Sequence, residues 1–388
     1  MKIKVTEQAK KKIRAGNPLI QKEDLLQELT ETGWVDFVDN KENFLAKGYL
    51  GKQNKGIGWV LCREERAIDN DFFVSLFRIA REKRIFFENQ EGTTAYRIFN
   101  GEGDGLGGVT IERYESFAVF SWYNETLYEK QAELMTAFQH VYPDIQGIYE
   151  KIRFETATLP ESRFVTGSQA PEPLLVQENF VTFATYLNEG LMTGIFLDQK
   201  DVRGRFVGGL ASGKKVLNMF SYTGAFSVAA LMGGASHTTS VDLAKRSLAK
   251  TQEQFAVNGI DPQTQTIHVM DVFSYFKYAR KKDLQFDVIV LDPPSFARNK
   301  KKVFNVAKNY GELIEDSLPI LTKGGLLIAS TNAANLSEKK FKHMIETVFA
   351  EKDVSYQLVD TYRLPADFVV APQFQEGNYL KVFFYQVN

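Results

Sequence analysis

Four strand-like segments of the sequence each end in groups that can hold a polar ligand. The first, KVLNMF at residues 215–220, runs into a short polar loop and then Gly224, where a helical pattern begins. A glycine there lets the backbone approach a ligand, and the first turn of a helix offers unpaired N–H groups. Asp242 closes the next strand, TTSVD, 18 residues after Gly224. A carboxylate at that place suits the two hydroxyls of a ribose. Asp271 closes TIHVMD and is followed by Val272 and Phe273. It suits an adenine, accepting from the amino group while Phe273 lines the ring. Asp292-Pro293-Pro294-Ser295-Phe296 follows FDVIVL. Any one of these aspartates is explained as a helix cap or turn former; four consecutive strand ends bearing ligand groups on one rim are much harder to explain that way. By contrast, the match to G-x-G-x-x-G at Gly103–Gly108 precedes VTIERYESFAVF, a β-type run. The dinucleotide fingerprint must open a helix, so a glycine hairpin is the reading there.

The elements that position these groups follow from the change of rhythm after residue 176. An extended pair, NFVTFATYL and GIFLD, comes first. Short apolar strands then alternate with helical stretches, among them GAFSVAALMGG, AKRSLAKTQEQFAVNG, VFSYFKYARKK and a helix near residues 310–321. That alternation predicts βαβ units, a parallel sheet and helices on both faces, whose carboxyl-end rim binds ligands at the switch in strand order. The last two strands, SYQLVDTYRL and YLKVFFYQV, have no helix between them and predict an antiparallel hairpin at one edge. Residues 1–72 read as a small β-barrel-like module of WVDFV, FLAKGYL and GIGWVLC, with one helical stretch at 22–30. Residues 73–175 read as a helix, a three-stranded run YRIFNGEGDGLGGVTIERYESFAVFSWY, a helix near 129–141, a strand near 147–151 and a linker at 159–173.

With 388 residues, the chain has room for two to three domains. Forty-seven Lys+Arg against 48 Asp+Glu give no global field for a polyanion. The cations are clustered, however. Arg298, Lys300, Lys301, Lys302 and Lys308 follow Pro293 with no acid before Gly311. Lys277, Arg280, Lys281 and Lys282 form a second group, and Lys2, Lys4, Lys10, Lys11, Lys12 and Arg14 a third. A single cysteine, Cys62, excludes an internal disulfide framework, and four scattered histidines argue against a metal site. The opening MKIKVTEQAKKKI has no apolar signal core and no run approaches 18 apolar residues, so a cytoplasmic protein with no membrane partner is expected.

The strand–loop–helix with Asp242, Asp271 and DPPSF resembles class I S-adenosylmethionine-dependent methyltransferases. Nearly the whole chain is similar to PUA-domain-containing 23S rRNA methyltransferases related to the cytosine-C5 enzyme RlmI. The matching stretches are YRIFNGEGDGLGG, TGIFLDQKDVR, VLNMFSYTGAFSVAALMGGA, FDVIVLDPPSF and EGNYLKVF. The resemblance implies a PUA-like RNA-binding module at 1–72, a middle α+β domain (EEHEE-like) at 73–175, and a Rossmann-like doubly wound catalytic domain at 176–388. It implies S-adenosyl-L-methionine as cofactor, contacted by Gln199, Asn218, Phe220, Ser221, Thr223, Gly224, Asp242, Asp271, Val272, Phe273 and Asp292. The partner it implies is 23S rRNA or a ribosomal precursor particle, and a homodimer is compatible with it.

The acceptor atom decides what else the site needs. Carbon 5 of a pyrimidine is a poor nucleophile, activated by a cysteine thiolate attacking carbon 6. RlmI-type enzymes carry that cysteine after the fifth strand; here the stretch is Ala329-Ser330-Thr331-Asn332-Ala333. Cys62 lies in the N-terminal β pattern and reads as a small core residue. A nitrogen acceptor is therefore expected. The Ser-Thr-Asn segment resembles the guanine-N7 half of the fused enzyme RlmKL, which favours guanine N7 over guanine N2. Cytosine-C5 transfer and a non-catalytic RNA-binding or ribosome-assembly role are the alternatives. Asp292, Pro293, Pro294 and Phe296 are the candidate catalytic residues. Phe196, Tyr222 and Phe296 are candidate aromatic walls for an unpaired base. Arg298, Lys300, Lys301, Lys302 and Asn332 are further candidate RNA contacts.

Overall fold

The structure is a computed structural model that describes residues 1–28, 31–298 and 303–388. The chain divides into two compact units. The first comprises Met1–Val176, Thr185–Thr193 and Ala366–Gly377; the second comprises Gln177–Ala184, Gly194–Pro365 and Asn378–Asn388.

Within the first unit, Lys2–Lys4, Leu19–Ile20, Gly33–Val38, Phe44–Leu50 and Gly58–Cys62 form one five-stranded sheet. Its alternating strands bury Val35, Phe37, Leu50 and Val60 around Ile3 and Ile13. The helix here is Glu7–Ala15, capped by Thr6 accepting from the Ala9 N–H and ended by Gly16 at φ +102°. The helical stretch expected at 22–30 is corrected to one turn of 3-10 helix, Lys22–Asp24. Asp24 turns back to accept from the Gln21 N–H and the Lys12 ammonium, and Leu25 bridges to Val5 as extended chain.

A second five-stranded sheet of this unit holds Ala95–Asn100, Val109–Tyr114, Phe117–Trp122, Gly147–Ile152 and Ser162–Gly167. Helices Asn70–Glu82 and Gln131–Val141 contribute Phe73, Phe77, Leu134 and Phe138 to the same core as Phe99, Phe120 and Trp122. The stretch expected as a linker contains the edge strand Ser162–Gly167, antiparallel to Gly147–Ile152. The glycine motif opens no helix: Gly101–Asp104 is a 3-10 turn leading into Val109–Tyr114. Cys62 is buried in this unit, its thiol donating to the Glu64 carbonyl.

The second unit is built on seven strands: β1 (Lys215–Met219), β2 (His237–Asp242), β3 (Thr266–Val269), β4 (Phe286–Leu291), β5 (Leu321–Thr331), β6 (Tyr356–Tyr362) and β7 (Lys381–Val387). Their order is β3-β2-β1-β4-β5-β7-β6. The first five are parallel, and β7 is antiparallel to β5 and β6. This is the doubly wound sheet with an antiparallel edge hairpin. Strand β4 is continuously apolar because both its faces are covered: Ile289 and Leu291 enter one core with Leu217, Tyr310 and Phe341, while Val288 and Val290 enter another with Val216, Phe206 and Phe384. Each such aliphatic side chain contributes about 1.5–3 kcal/mol by leaving water. The helices are α1 (Lys200–Val207), α2 (Ala225–Met232), α3 (Arg246–Ala256), α4 (Val272–Lys281), α5 (Val306–Ser317) and α6 (Glu338–Glu351). Between β4 and α5 a small hairpin pairs Phe296–Arg298 with Val303–Asn305. GIFLD, expected as extended, is instead a bend leading into a 3-10 turn, Leu197–Gln199, that feeds α1. Arg203 of α1 bonds back to the Phe196 carbonyl, closing the chain on itself there.

Candidate active site

The strand order reverses between β1 and β4, and the residues singled out above gather at that rim. The loop after β1 is tightly wound. Phe220, Tyr222 and Gly224 have φ of +60°, +52° and +81°. A Cβ on Gly224 would lie 2.6 Å from the Thr251 methyl of α3, so the position admits only glycine without strain. Gly224 is thus the residue before α2 through which the loop is pressed onto α3. The loop is held by bonds across the rim: the Ser221 N–H to the Val241 carbonyl at 3.0 Å, and the Tyr222 N–H to Asp242 at 2.9 Å. The other Asp242 oxygen accepts from the Ala244 N–H at 2.8 Å. Each oxygen thereby has one fixed donor and lone-pair capacity left for a hydroxyl, which is what a vicinal diol requires.

Three buried polar atoms near this loop have no partner among the described residues: Gln199 Oε1, Asn218 Oδ1 and Ser221 Oγ. An unpaired buried polar atom costs about 1–3 kcal/mol, so three together fit a polar ligand. Two of them are amide oxygens and only accept, so they call for a ligand with hydrogen-bond donors, which an α-ammonium supplies. The opposite ends of both amides are engaged. Asn218 Nδ2 donates to Ser227 at 3.0 Å; Gln199 Nε2 donates to Asp292 at 3.0 Å and to Ser330 Oγ at 2.8 Å. The residues present therefore fit an adenosyl amino acid.

Asp292 is half-buried, and its carboxyl is pushed up to about 6 by burial, with Asp198 adding to the rise and the Ser330 and Gln199 hydrogen bonds opposing it. The Tyr310 hydroxyl, buried below, shares its one proton between the Leu291 and Ser330 carbonyls, 3.0 and 2.9 Å away, and so ties the ends of β4 and β5 together. Above, the Ser295 hydroxyl donates to Asn332 Oδ1 at 2.7 Å. Pro293 is buried, while Pro294 and Phe296 are exposed, Phe296 by 58 %. Phe196 and Tyr222 form an aromatic pair with ring centroids 5.2 Å apart, and Phe196 is 39 % exposed. Thr223 donates to the Gly194 carbonyl at 2.7 Å, stapling the Phe196 segment over the loop.

Not every singled-out residue presents its side chain to the rim. Asp271 is the N-cap of α4, accepting from the Ser274 N–H at 3.0 Å. Val272 is 4 % exposed and packs in the core, which leaves only its backbone N–H for a ligand. Phe273 and Phe220 pack on Phe304. Arg298 lies in the hairpin, and Lys300, Lys301 and Lys302 lie outside the described residues. Sequence reasoning missed Leu243, a 54 % exposed apolar side chain next to Asp242. It also missed Ser330, and the buried Arg203–Glu178 pair (2.6 Å) beneath Phe196. No local pattern marks these; their meaning comes from neighbours distant in sequence.

A rim with a ribose-type carboxylate, unpaired acceptors for an ammonium and an Asp-Pro-Pro loop defines a cofactor-dependent group-transfer enzyme. Residues 152–384 match the S-adenosylmethionine-dependent methyltransferase family, and residues 3–63 match a PUA-like domain. The chain belongs to that methyltransferase family, with S-adenosylmethionine as its cofactor. It is 49 % identical over 379 residues, 96 % of each chain, to Bacillus subtilis YwbD, which is named for ribosomal RNA large subunit methylation. It is 31 % identical over 358 residues to ribosomal RNA large subunit methyltransferase I of Klebsiella pneumoniae, covering 90 % of this chain and 88 % of that one. Among solved structures, SMU.776 in complex with SAH superposes with a TM-score of 0.94 at 46 % identity over the full length of both chains. No helix among the described residues is long and apolar enough to cross a membrane, and no group of three or more His, Cys, Asp or Glu there could hold a metal ion.

Proposed function

We propose that the protein methylates a base of large-subunit (23S) rRNA, in free or precursor-particle form, and that the acceptor is guanine N7. The names of its full-length relatives support the substrate class. The observation that carries the acceptor is the loop after β5. Where a pyrimidine-C5 enzyme needs a thiol, Asn332 stands bonded to Ser295, and the one cysteine of the sequence is buried in the other unit. In this reading Asp242 holds the ribose, Asp271 and Phe273 the adenine, and Gln199, Asn218 and Ser221 the amino-acid end.

The bound cofactor supplies an electrophilic methyl carbon on a positively charged sulfur. Guanine N7 brings an in-plane lone pair, so no base and no covalent adduct are needed. The new N–C bond forms as the C–S pair returns to sulfur, and the positive charge passes to the purine ring with no proton lost. Asp292, ionised above about pH 6, faces that charge and stabilises it. In this reading the Pro293 carbonyl accepts from and Asn332 donates to the polar edge of the base, and Phe296, Tyr222 and Phe196 stack on it. Orientation of this kind is worth about 7–11 kcal/mol at most.

Nucleoside mass spectrometry of 23S rRNA from a deletion strain tests the acceptor. Loss of one 7-methylguanosine is expected; loss of 5-methylcytidine, or a covalent complex with a 5-fluorocytidine oligonucleotide, would overturn it. For the cofactor assignment, Asp242→Ala is expected to weaken S-adenosylmethionine binding at least tenfold by titration. Unchanged affinity removes Asp242 from the ribose.

A further inference from the structure

Lys381 is the first residue of β7 and lies opposite Thr331 of β5. It is 3 % exposed, and its ammonium donates to two carbonyls, Ala333 and Tyr379, each at 2.8 Å. Neutral carbonyls are a poor setting for a buried cation, which normally finds a carboxylate. The charged groups that face it are Arg363, beyond β6, and Glu338, which opens α6, and these two are bonded to each other at 2.8 Å. No carboxylate is in ion-pair range of Lys381 among the described residues. Burial, with Arg363 adding to it and Glu338 opposing, pushes its ammonium down to about 8.

The two carbonyls lead to the two halves of the site. Ala333 follows Asn332, whose side chain accepts from Ser295 of the Asp-Pro-Pro loop. The Tyr379 hydroxyl donates to Asp198 at 2.9 Å, next to Gln199. Tyr310 fixes the ends of β4 and β5 from below but reaches no further than Ser330. Past that point the chain leaves the sheet with Asn332 exposed, and Ala333 is held from both ends, its N–H donating to Thr331 Oγ1 at 3.2 Å and its carbonyl accepting from Lys381. A buried charge retained at this place, where an apolar residue would cost the fold less, points to a task for the charge.

We propose that Lys381 is a positioning residue for the methyl acceptor: its ammonium holds the chain after Asn332 so that Asn332 meets Ser295 and the two loops present one base-binding edge. The proposal rests on the reading that this loop pair receives an RNA base. Protonated Lys381 holds both carbonyls with charge-assisted bonds. The neutral amine, above about pH 8, holds them weakly.

Full-length wild type, Lys381→Met and Lys381→Arg are compared between pH 6.5 and 9.5. Methyl transfer to large-subunit rRNA from a strain lacking the gene gives kcat and KM, and SAH titration reads the cofactor site. Wild-type kcat/KM is expected to fall above about pH 8. Lys381→Met is expected to lose about 100-fold in kcat/KM for RNA, the cost of misplacing an acceptor by about 1 Å, with SAH affinity within about twofold. Lys381→Arg restores most of that activity and carries the alkaline limb beyond pH 9.5, since a guanidinium does not deprotonate there. Equal kcat/KM in Lys381→Met, or an alkaline limb unmoved in Lys381→Arg, overturns the proposal. If Lys381→Met fails to bind SAH and is misfolded, the Arg limb alone decides. A wild type that transfers no methyl to this RNA sinks the rRNA reading instead, and the product nucleoside reports the acceptor atom separately.

Discussion

Asp292 carries an electrostatic cost that its proposed role in methyl transfer would explain. A carboxyl raised to about 6 is held more tightly by its proton in the folded protein than in the unfolded chain. The cost is therefore absent below about pH 4, grows as pH rises towards 6, and is complete above it. Each tenfold gain in proton affinity corresponds to about 1.4 kcal/mol. Allowing for its partial exposure, about 1–2 kcal/mol of stability is given up at neutral pH. Asp292→Asn keeps the oxygen that accepts from Gln199 and removes the charge. Its melting temperature is expected to exceed wild type by a few degrees at pH 7.5 and to match it at pH 4. Methyl transfer should fall about 100-fold, the usual loss when one charge-stabilising group is removed. Melting curves at the two pH values check the first part; a variant less stable at pH 7.5 would mean that the charge is satisfied in the fold. In wild type, kcat/KM should rise through an apparent value near 6, since in the proposed transfer to guanine N7 only the ionised form stabilises the developing cation.

At the scale of elements, the loop between β1 and α2 shows why part of the site was legible in sequence. Gly224 was readable because only glycine tolerates φ +81° with a neighbour 2.6 Å from its missing Cβ. Gly224→Ala is expected to cost about 1–2 kcal/mol in backbone strain and more from the clash, and to weaken SAH binding. Adding Thr251→Ser, which deletes the offending methyl, should recover the steric share and leave the strain, a split that urea unfolding of the two variants can measure. The parallel strands were legible because burial on both faces leaves continuous apolar runs, such as FDVIVL. Asp271 was legible as a strand end, but its double life as the cap of α4 was not distinguishable from ligation without coordinates. Helix α5 begins at Val306, before the stretch expected for it, because Asn305 caps it by accepting from the Ala307 N–H. The Ser162–Gly167 strand hides among turn residues because an edge strand needs only one covered face. Lys381 and Ser330 gave no signal at all: a buried lysine and a buried serine mean something only through Ala333, Tyr379 and Gln199.

Across the whole molecule, a net charge of −1 conceals two kinds of basic residue. Three of the six N-terminal cations are neutralised in place: Lys4 by Glu42 (3.0 Å), Lys10 by Asp39 (2.9 Å) and Lys12 by Asp24 (2.8 Å). Asp39 and Asp24 are buried, so these pairs fasten the first sheet and offer little to a polyanion. The tract from Arg298 to Lys308 has no acid within it and follows the Asp-Pro-Pro loop in sequence, and its Lys300, Lys301 and Lys302 lie outside the described residues. Its place in sequence directly after the methyl-transfer loop, with no acid among its own residues, makes this tract the proposed phosphate contact. Each cation on a single-stranded phosphate contributes about −0.7 to the log–log salt slope of binding. Replacing Lys300, Lys301 and Lys302 by alanine should therefore flatten the slope for rRNA by about 2, weaken binding most at low salt, and leave SAH affinity unchanged. Filter binding across a salt series measures this directly. A slope equal to wild type would move the RNA backbone away from the hairpin, and with it the base that the loops beside Asp292 are proposed to hold.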